Sequence, residues 1–162
     1  MPGKIKTGQG TLIGNAGEYY VVAELLKRGI VAALAPRNTP AFDILATKDG
    51  KTVRIRVKTK SEEYDIWQWN VGQSGQIFRD LSDKDDYTVL VNLAQDDKDL
   101  AFHVIPTSAL NAWLISDFDL WLRTPGKDGR PHSADNRKRH LEYKKYETRL
   151  APFLGNWGIL WE

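Results

Sequence analysis

The sequence predicts an α/β or α+β domain built around one central sheet. Three observations carry that expectation: helical periodicity near the start, strict two-residue alternation in a strand that follows, and an element order of helix, several strands, helix. The helix spans about Asn15 to Arg28, where Val21, Val22, Leu25 and Leu26 recur at helical spacing and Gly29 stands where a left-handed cap belongs. Ile30 to Leu34 is a short β-like run, residues 35–40 form a loop, and Phe42 to Ala46 is a second apolar run. Asp49-Gly50 then signals a hairpin turn.

From Thr52 to Lys60 the residues alternate, with Val53, Ile55 and Val57 on one face and Arg54, Arg56, Lys58 and Lys60 on the other. That is the pattern of a half-buried strand. Tyr64 to Val71 reads as a further strand, and Ile77 to Leu81 as one helical turn. Tyr87 to Ala94 and Leu100 to Ile105 read as a hairpin around the acidic turn Gln95 to Asp99. Thr107 or Ser108 can cap a helix through Leu114, with Asp117 to Leu122 a second helical piece. After a loop over 124–135, the tail from Asn136 combines a basic helix candidate with an apolar finish of Leu154, Trp157, Ile159, Leu160 and Trp161. The expectation is one domain, a core over about 10–106 and a helical extension over about 107–162.

Composition bounds the function. The chain has 162 residues, 41% hydrophobic and 27% charged, a globular balance that lacks the apolar poverty of disorder. A chain of this size buries about 70% of its unfolded surface and needs no staple. Zero cysteines excludes disulfides, thiolate zinc sites and cysteine nucleophiles. No apolar run is long enough to span a membrane. The polar, glycine-rich start lacks a signal peptide's apolar stretch, and a cytoplasmic protein is expected. Net charge is only +2, but it is segregated: Arg123 to Arg149 holds nine Lys/Arg against four Asp/Glu, and Arg79 to Asp99 holds three against seven. A basic segment permits a polyanion partner, but such a run is more often a solvated face.

Familiar sites are absent. There is no Gly-x-x-x-x-Gly-Lys loop, the glycines from Gly8 to Gly17 follow no strand, and His103, His132 and His140 lack paired metal-ligand spacing. Gly72-Gln73-Ser74-Gly75 is not a nucleophile elbow. A distributed set remains. Glu18 precedes Val21, Val22 and Leu25 by three, four and seven residues, which sets a carboxylate on the apolar stripe of the helix, where it needs a partner. Asp43 interrupts an apolar strand and is either paired with a cation or a metal ligand, and Lys58 lies across the hairpin.

The run Gly17-Glu18, Phe42-Asp43-Ile44-Leu45 and Arg56-Val57-Lys58-Thr59 resembles the PD-(D/E)XK nuclease superfamily, in particular its restriction-endonuclease-like and Holliday-junction-resolvase-like branches. The resemblance covers about residues 10–60 and rests on order and spacing. It implies a restriction-endonuclease-like central mixed β-sheet flanked by helices, and a metal-dependent endonuclease that hydrolyses phosphodiesters in DNA. It further implies Glu18, Asp43 and Lys58 as catalytic residues, with Glu18 and Asp43 holding Mg²⁺ or Mn²⁺ and Lys58 stabilising charge on phosphorus. A homodimer is one arrangement in which such nucleases cut both strands.

One position departs from the pattern. Arg56 stands where a second acid belongs, and a guanidinium cannot ligate a metal. About 5 Å from a dication it would be repelled by roughly 6 kcal/mol at an effective dielectric of 20. Three readings are open: Arg56 swings out to grip a phosphate and a weak metal site survives; Arg56 pairs with Asp43 or Glu18 and leaves a nucleic-acid-binding module that does not cut; or Glu18, Asp43, Arg56 and Lys58 form a buried ion network. For binding, Arg54, Arg56 and Lys60 on the strand face, with Arg37 in the loop, would meet phosphates. The alternative is that these cations have partners on neighbouring strands. Trp67 and Trp69 share one side of their strand, fit either to stack on bases or to pack inward.

Overall fold

The computed structural model describes residues 9–61, 64–93 and 100–162. Helix α1 (Gly10–Lys27) opens the chain and ends at Gly29, whose φ of 74° is the left-handed conformation expected there. Strands β1 (Val31–Leu34), β2 (Ile44–Lys48) and β3 (Lys51–Ser61) form an antiparallel meander. Asp49 and Gly50, with φ of 51° and 80°, make the β2–β3 turn, and Lys48 faces Lys51 across it. Two central residues with positive φ match the right-handed twist of the flanking strands.

Strand β4 (Ile66–Asn70) leaves this sheet. The chain then returns as β5 (Asp86–Leu93), parallel to β3, and β6 (Ala101–Pro106), antiparallel to β5. The five-stranded order is β1-β2-β3-β5-β6, a mixed sheet. Helix α2 (Thr107–Arg123) follows, then β7 (Lys138–Glu142), α3 (Tyr143–Leu150) and two 3₁₀ turns, Ala151–Phe153 and Trp157–Trp161. Strand β7 pairs antiparallel with β4 in a separate two-stranded ribbon.

Both faces of the large sheet are covered. On one, α1 and the final 3₁₀ turn pack Val21, Leu25, Trp157 and Leu160 onto Val53, Ile55, Val89, Val91 and Val104. On the other, the ribbon, α2 and α3 bring Trp67, Trp69, Phe78, Leu110, Leu141 and Leu150 onto Leu90 and Ile105. Strand β5 is therefore buried from Asp86 to Val91 without alternation, as a two-sided strand must be. No helix among the described residues is long and apolar enough to cross a membrane.

Four sequence expectations change. Residues 77–79 form bends, and no helical turn stands over 77–81. The two helical pieces after Pro106 are one continuous α2, and Thr107 does not cap it, because its hydroxyl is directed to Asp86. The basic helix candidate begins as strand β7, so the region after residue 107 is not purely helical. The β3 strand is not half-buried: its cationic face lies under the ribbon and the segment around Phe78. The acidic turn expected at Gln95 to Asp99 lies outside the described residues.

Candidate functional site

Glu18 sits one residue beyond Gly17, and Gly17 is the closest approach of α1 to β3: a Cβ built there would fall 1.8 Å from Thr59 Oγ1. A helix seated this low brings Glu18 to the rim of the sheet. Glu18 does not sink beneath the helix as its spacing suggests, since the residues α1 buries are Gly17, Val21 and Leu25. It is half-buried and lines a cleft of about 200 Å³ with Asn15, Tyr19, Arg37, Phe42 and Asp43.

Asp43 does not interrupt β2; it stands immediately before it. Its backbone extends both ladders, with its N–H donating to Ile55 O at 2.9 Å and its carbonyl accepting from Ala35 N–H at 2.7 Å. That fixes the side chain, whose Oδ2 accepts the Val57 N–H at 2.7 Å. Oδ1 has no hydrogen-bond partner among the described residues. Burial raises the Asp43 pKa, opposed by the Val57 N–H, Arg56 and Lys58. The Glu18 carboxyl is also raised, by burial and then by Asp43, with Arg37 opposing. Both carboxyls thus line one cleft, and the exposed Arg37 opposes the shift at Glu18.

Lys58 projects from the other face of β3, half-buried, its Nζ 5.7 Å from the Trp69 ring centroid. Burial lowers its pKa and Asp43 opposes the shift. It makes no hydrogen bond or ion pair among the described residues. Glu18, Asp43 and Lys58 therefore form a chain of electrostatic neighbours with Asp43 in the middle.

Arg56 is turned away from the cleft. Its Nε donates to Asp86 Oδ1 at 2.9 Å and its Nη2 to Asp86 Oδ2 at 2.7 Å, a bidentate pair, and Nη2 also reaches the carbonyls of Arg79 and Asp80. Arg54 joins from the same strand face, meeting Asp86, Asp80 and Asp83. Thr107 Oγ1 donates to Asp86 Oδ1 at 2.6 Å. Of the three readings, the buried network is nearest to the geometry, but its acid is Asp86 and not Glu18 or Asp43. Arg56 neither reaches for phosphate nor fills the space between the two cleft acids.

The open cationic face expected on β3 is likewise absent. Lys60 is buried, donating to Tyr64 O and Asn92 Oδ1 against the Trp67 and Tyr143 rings. Lys51 pairs with Asp85. Only Arg37, of the four cations expected to bind nucleic acid, is solvent-exposed. Trp67 and Trp69 pack inward. Sequence reasoning missed Asp86, and the signal was present: the acidic run after Arg79 is the complement of the acid-free basic run on β3.

No protein-family model matches the chain, and no curated protein matches it by sequence. Solved structures do match. A bacterial homing endonuclease, I-Ssp6803I, is similar with a TM-score of 0.52 and 15% identity over 93% of this chain and 89% of that one. The chain has the restriction-endonuclease-like fold. A second similar structure is Hjc, a Holliday junction resolvase from Archaeoglobus fulgidus, with a TM-score of 0.45 and 14% identity over 83% of this chain and 88% of that one. Within this restriction-endonuclease-like fold, no group of three or more His, Cys, Asp or Glu residues gathers at one point among the described residues.

Two carboxylates still suit a hard cation. Mg²⁺ is commonly held by one or two protein carboxylates, with water and substrate phosphate completing its shell. Glu18 and Asp43 offer that donor set; burial raises both carboxyls, and Asp43 adds to the shift of Glu18. Asp86, the acid that Arg56 meets, is committed to arginine.

Proposed function

We propose that the chain is a metal-dependent DNA endonuclease hydrolysing phosphodiesters at the cleft of Glu18 and Asp43, with Lys58 next to Asp43. The observation that carries this reading is that Glu18 and Asp43 line one cleft, with Lys58, which has no ion pair among the described residues, an electrostatic neighbour of Asp43 on the other face of β3. A structural network would have paired that lysine. Glu18 and Asp43 would hold Mg²⁺ or Mn²⁺, which supplies Lewis-acid polarisation and a more acidic bound water. The Val57 N–H fixes the Asp43 carboxylate, so its free oxygen is presented without reorganisation. Lys58, desolvated and close to Asp43, donates to a phosphate oxygen as charge develops there. Arg37 at the mouth attracts the backbone of the substrate.

The test is cleavage of supercoiled, linear, single-stranded and branched DNA with Mg²⁺ and Mn²⁺. Asp43→Ala and Lys58→Ala should each lose at least about 100-fold in rate. Undiminished cutting by Asp43→Ala would remove the site assignment. Because both acids have raised pKa values, the rate should climb with pH above the ordinary carboxylate range.

A second reading is a nucleic-acid-binding module that does not cut. The absence of a third carboxylate at the cleft among the described residues favours it. Salt-sensitive binding without cleavage of any substrate would select this reading.

A further inference from the structure

The β4–β7 ribbon has two unlike faces. Cross-strand partners lie on the same side, so Trp67 with Leu141 and Trp69 with Arg139 face one way, and Gln68 with His140 and Asn70 with Lys138 face the other. The first set is anchored: Trp67 and Leu141 are buried, the Trp67 indole N–H donates to Val91 O, and the Arg139 guanidinium lies over the Phe118 ring. The second set is open. Asn70, Lys138 and His140 are exposed and Gln68 half-buried, and the same face ends on the rung of Ile66 with the exposed Glu142.

We propose that this outward face reads base edges in the major groove of duplex DNA, with Gln68, Asn70, Lys138 and His140 as the reading side chains. The inference rests on the nucleic-acid reading of the preceding subsection and adds the element that recognises the substrate. A two-stranded ribbon has strands about 4.8 Å apart and enters a major groove about 12 Å wide. Successive outward rungs stand about 7 Å apart, close to two base-pair steps of about 3.4 Å. Carboxamides and lysine are the side chains whose donors and acceptors match purine edges.

Preorganisation supports the assignment. His140 Nε2 and Gln68 Oε1 lie 3.0 Å apart, which holds that rung in place, while Asn70 and Lys138 have no side-chain partner among the described residues. Exposed cations stand at both ends of β7, Arg137 before it and Lys144 and Lys145 after it, where flanking phosphates would run. The inner face of the ribbon meets Lys58 of β3 through the Trp69 ring. Duplex is favoured over single strand because the ribbon's tryptophans point inward and leave no stacking platform on its outer face.

The experiment selects bound duplexes from a random-sequence library with wild-type protein in EDTA. Fluorescence anisotropy then compares the selected duplex with a scrambled one. Enrichment of a defined sequence is expected, and Asn70→Ala and Lys138→Ala should each lower the selected-to-scrambled affinity ratio by about tenfold. Lys144→Ala/Lys145→Ala should weaken both duplexes alike and leave the ratio in place, as phosphate contacts do. No enrichment, a ratio untouched by both ribbon variants, or tighter binding of the single strand overturns the proposal. Binding is read without metal or cleavage. A protein that discriminates but never cuts therefore upholds the ribbon and removes the nuclease, whereas one that cuts while its ribbon variants keep the ratio removes the ribbon alone.

Discussion

Arg56 shows how one side chain settles a question that its sequence position leaves open. It is 9% exposed and bidentate to an Asp86 that is 3% exposed, so truncating it leaves a buried carboxylate short of its main partner. Breaking a buried pair costs about 3–5 kcal/mol. Arg54 and Thr107 still hold Asp86, so Arg56→Ala should lose about 3 kcal/mol, near the low end, in urea denaturation. A loss under about 1 kcal/mol, the scale of an exposed pair, would show that the arginine does not hold this segment. His103 makes a second residue-scale prediction. It is 2% exposed, its Nδ1 lacks a partner among the described residues, and burial followed by Lys60 lowers its pKa to about 4. The unfolded chain therefore binds a proton between about pH 6.5 and about pH 4 that the folded chain does not. Its contribution to stability is full above that window and lost as pH falls through it, by roughly 3 kcal/mol in total. His103→Leu should flatten this part of the stability–pH curve, and an unchanged slope would assign the proton elsewhere.

Among the elements, α1 is the one whose position the proposed site depends on. Its apolar spacing was legible, and so were its glycine cap and the Asp49-Gly50 hairpin, because periodicity and turn chemistry act over a few residues. Its depth was not. Gly17 admits Thr59, and Gly17→Ala must push α1 away from β3, costing about 1–3 kcal/mol. The same shift carries Glu18 away from Asp43, so cleavage should fall more than stability explains. Thr59→Ala, which removes a buried hydroxyl without a partner among the described residues, should restore part of both. No recovery in the double variant, measured by denaturation and single-turnover cleavage, would place the strain elsewhere. The β3 strand teaches the opposite lesson: alternation told which residues share a face but not what covers it, and of the two readings of its cations the structure has the one with partners on the neighbouring strand, Asp86 and Asn92 of β5, beneath Trp67, Trp69 and Phe78.

At the scale of the molecule, the last residues close the core. Trp157 and Leu160 pack beneath α1, Arg28 lies over the Trp157 ring at 5.0 Å, and the Gly155 N–H donates to Phe102 O on the edge strand β6. The apolar finish was readable as core from its composition. Trp157→Ala should cost about 3–5 kcal/mol, read as a lower guanidinium midpoint. A midpoint within error of wild type would mean that the tail merely rests on the sheet.

By itself the sequence determined the fold class, α1, the first hairpin, and the order Glu18, Asp43, Lys58 that resembles a nuclease motif. These features are local, set by spacing within one element or across one short turn. Only the tertiary structure decided where Arg56 points, because its partner lies 30 residues away in an acidic run offering several equivalent aspartates. It also decided that β4 leaves the main sheet to pair with β7, about 70 residues on. Alternation marks a strand with two unlike faces. Which strand it pairs with, and which face stays open, depend on what the whole chain brings to cover it, and no local pattern records that.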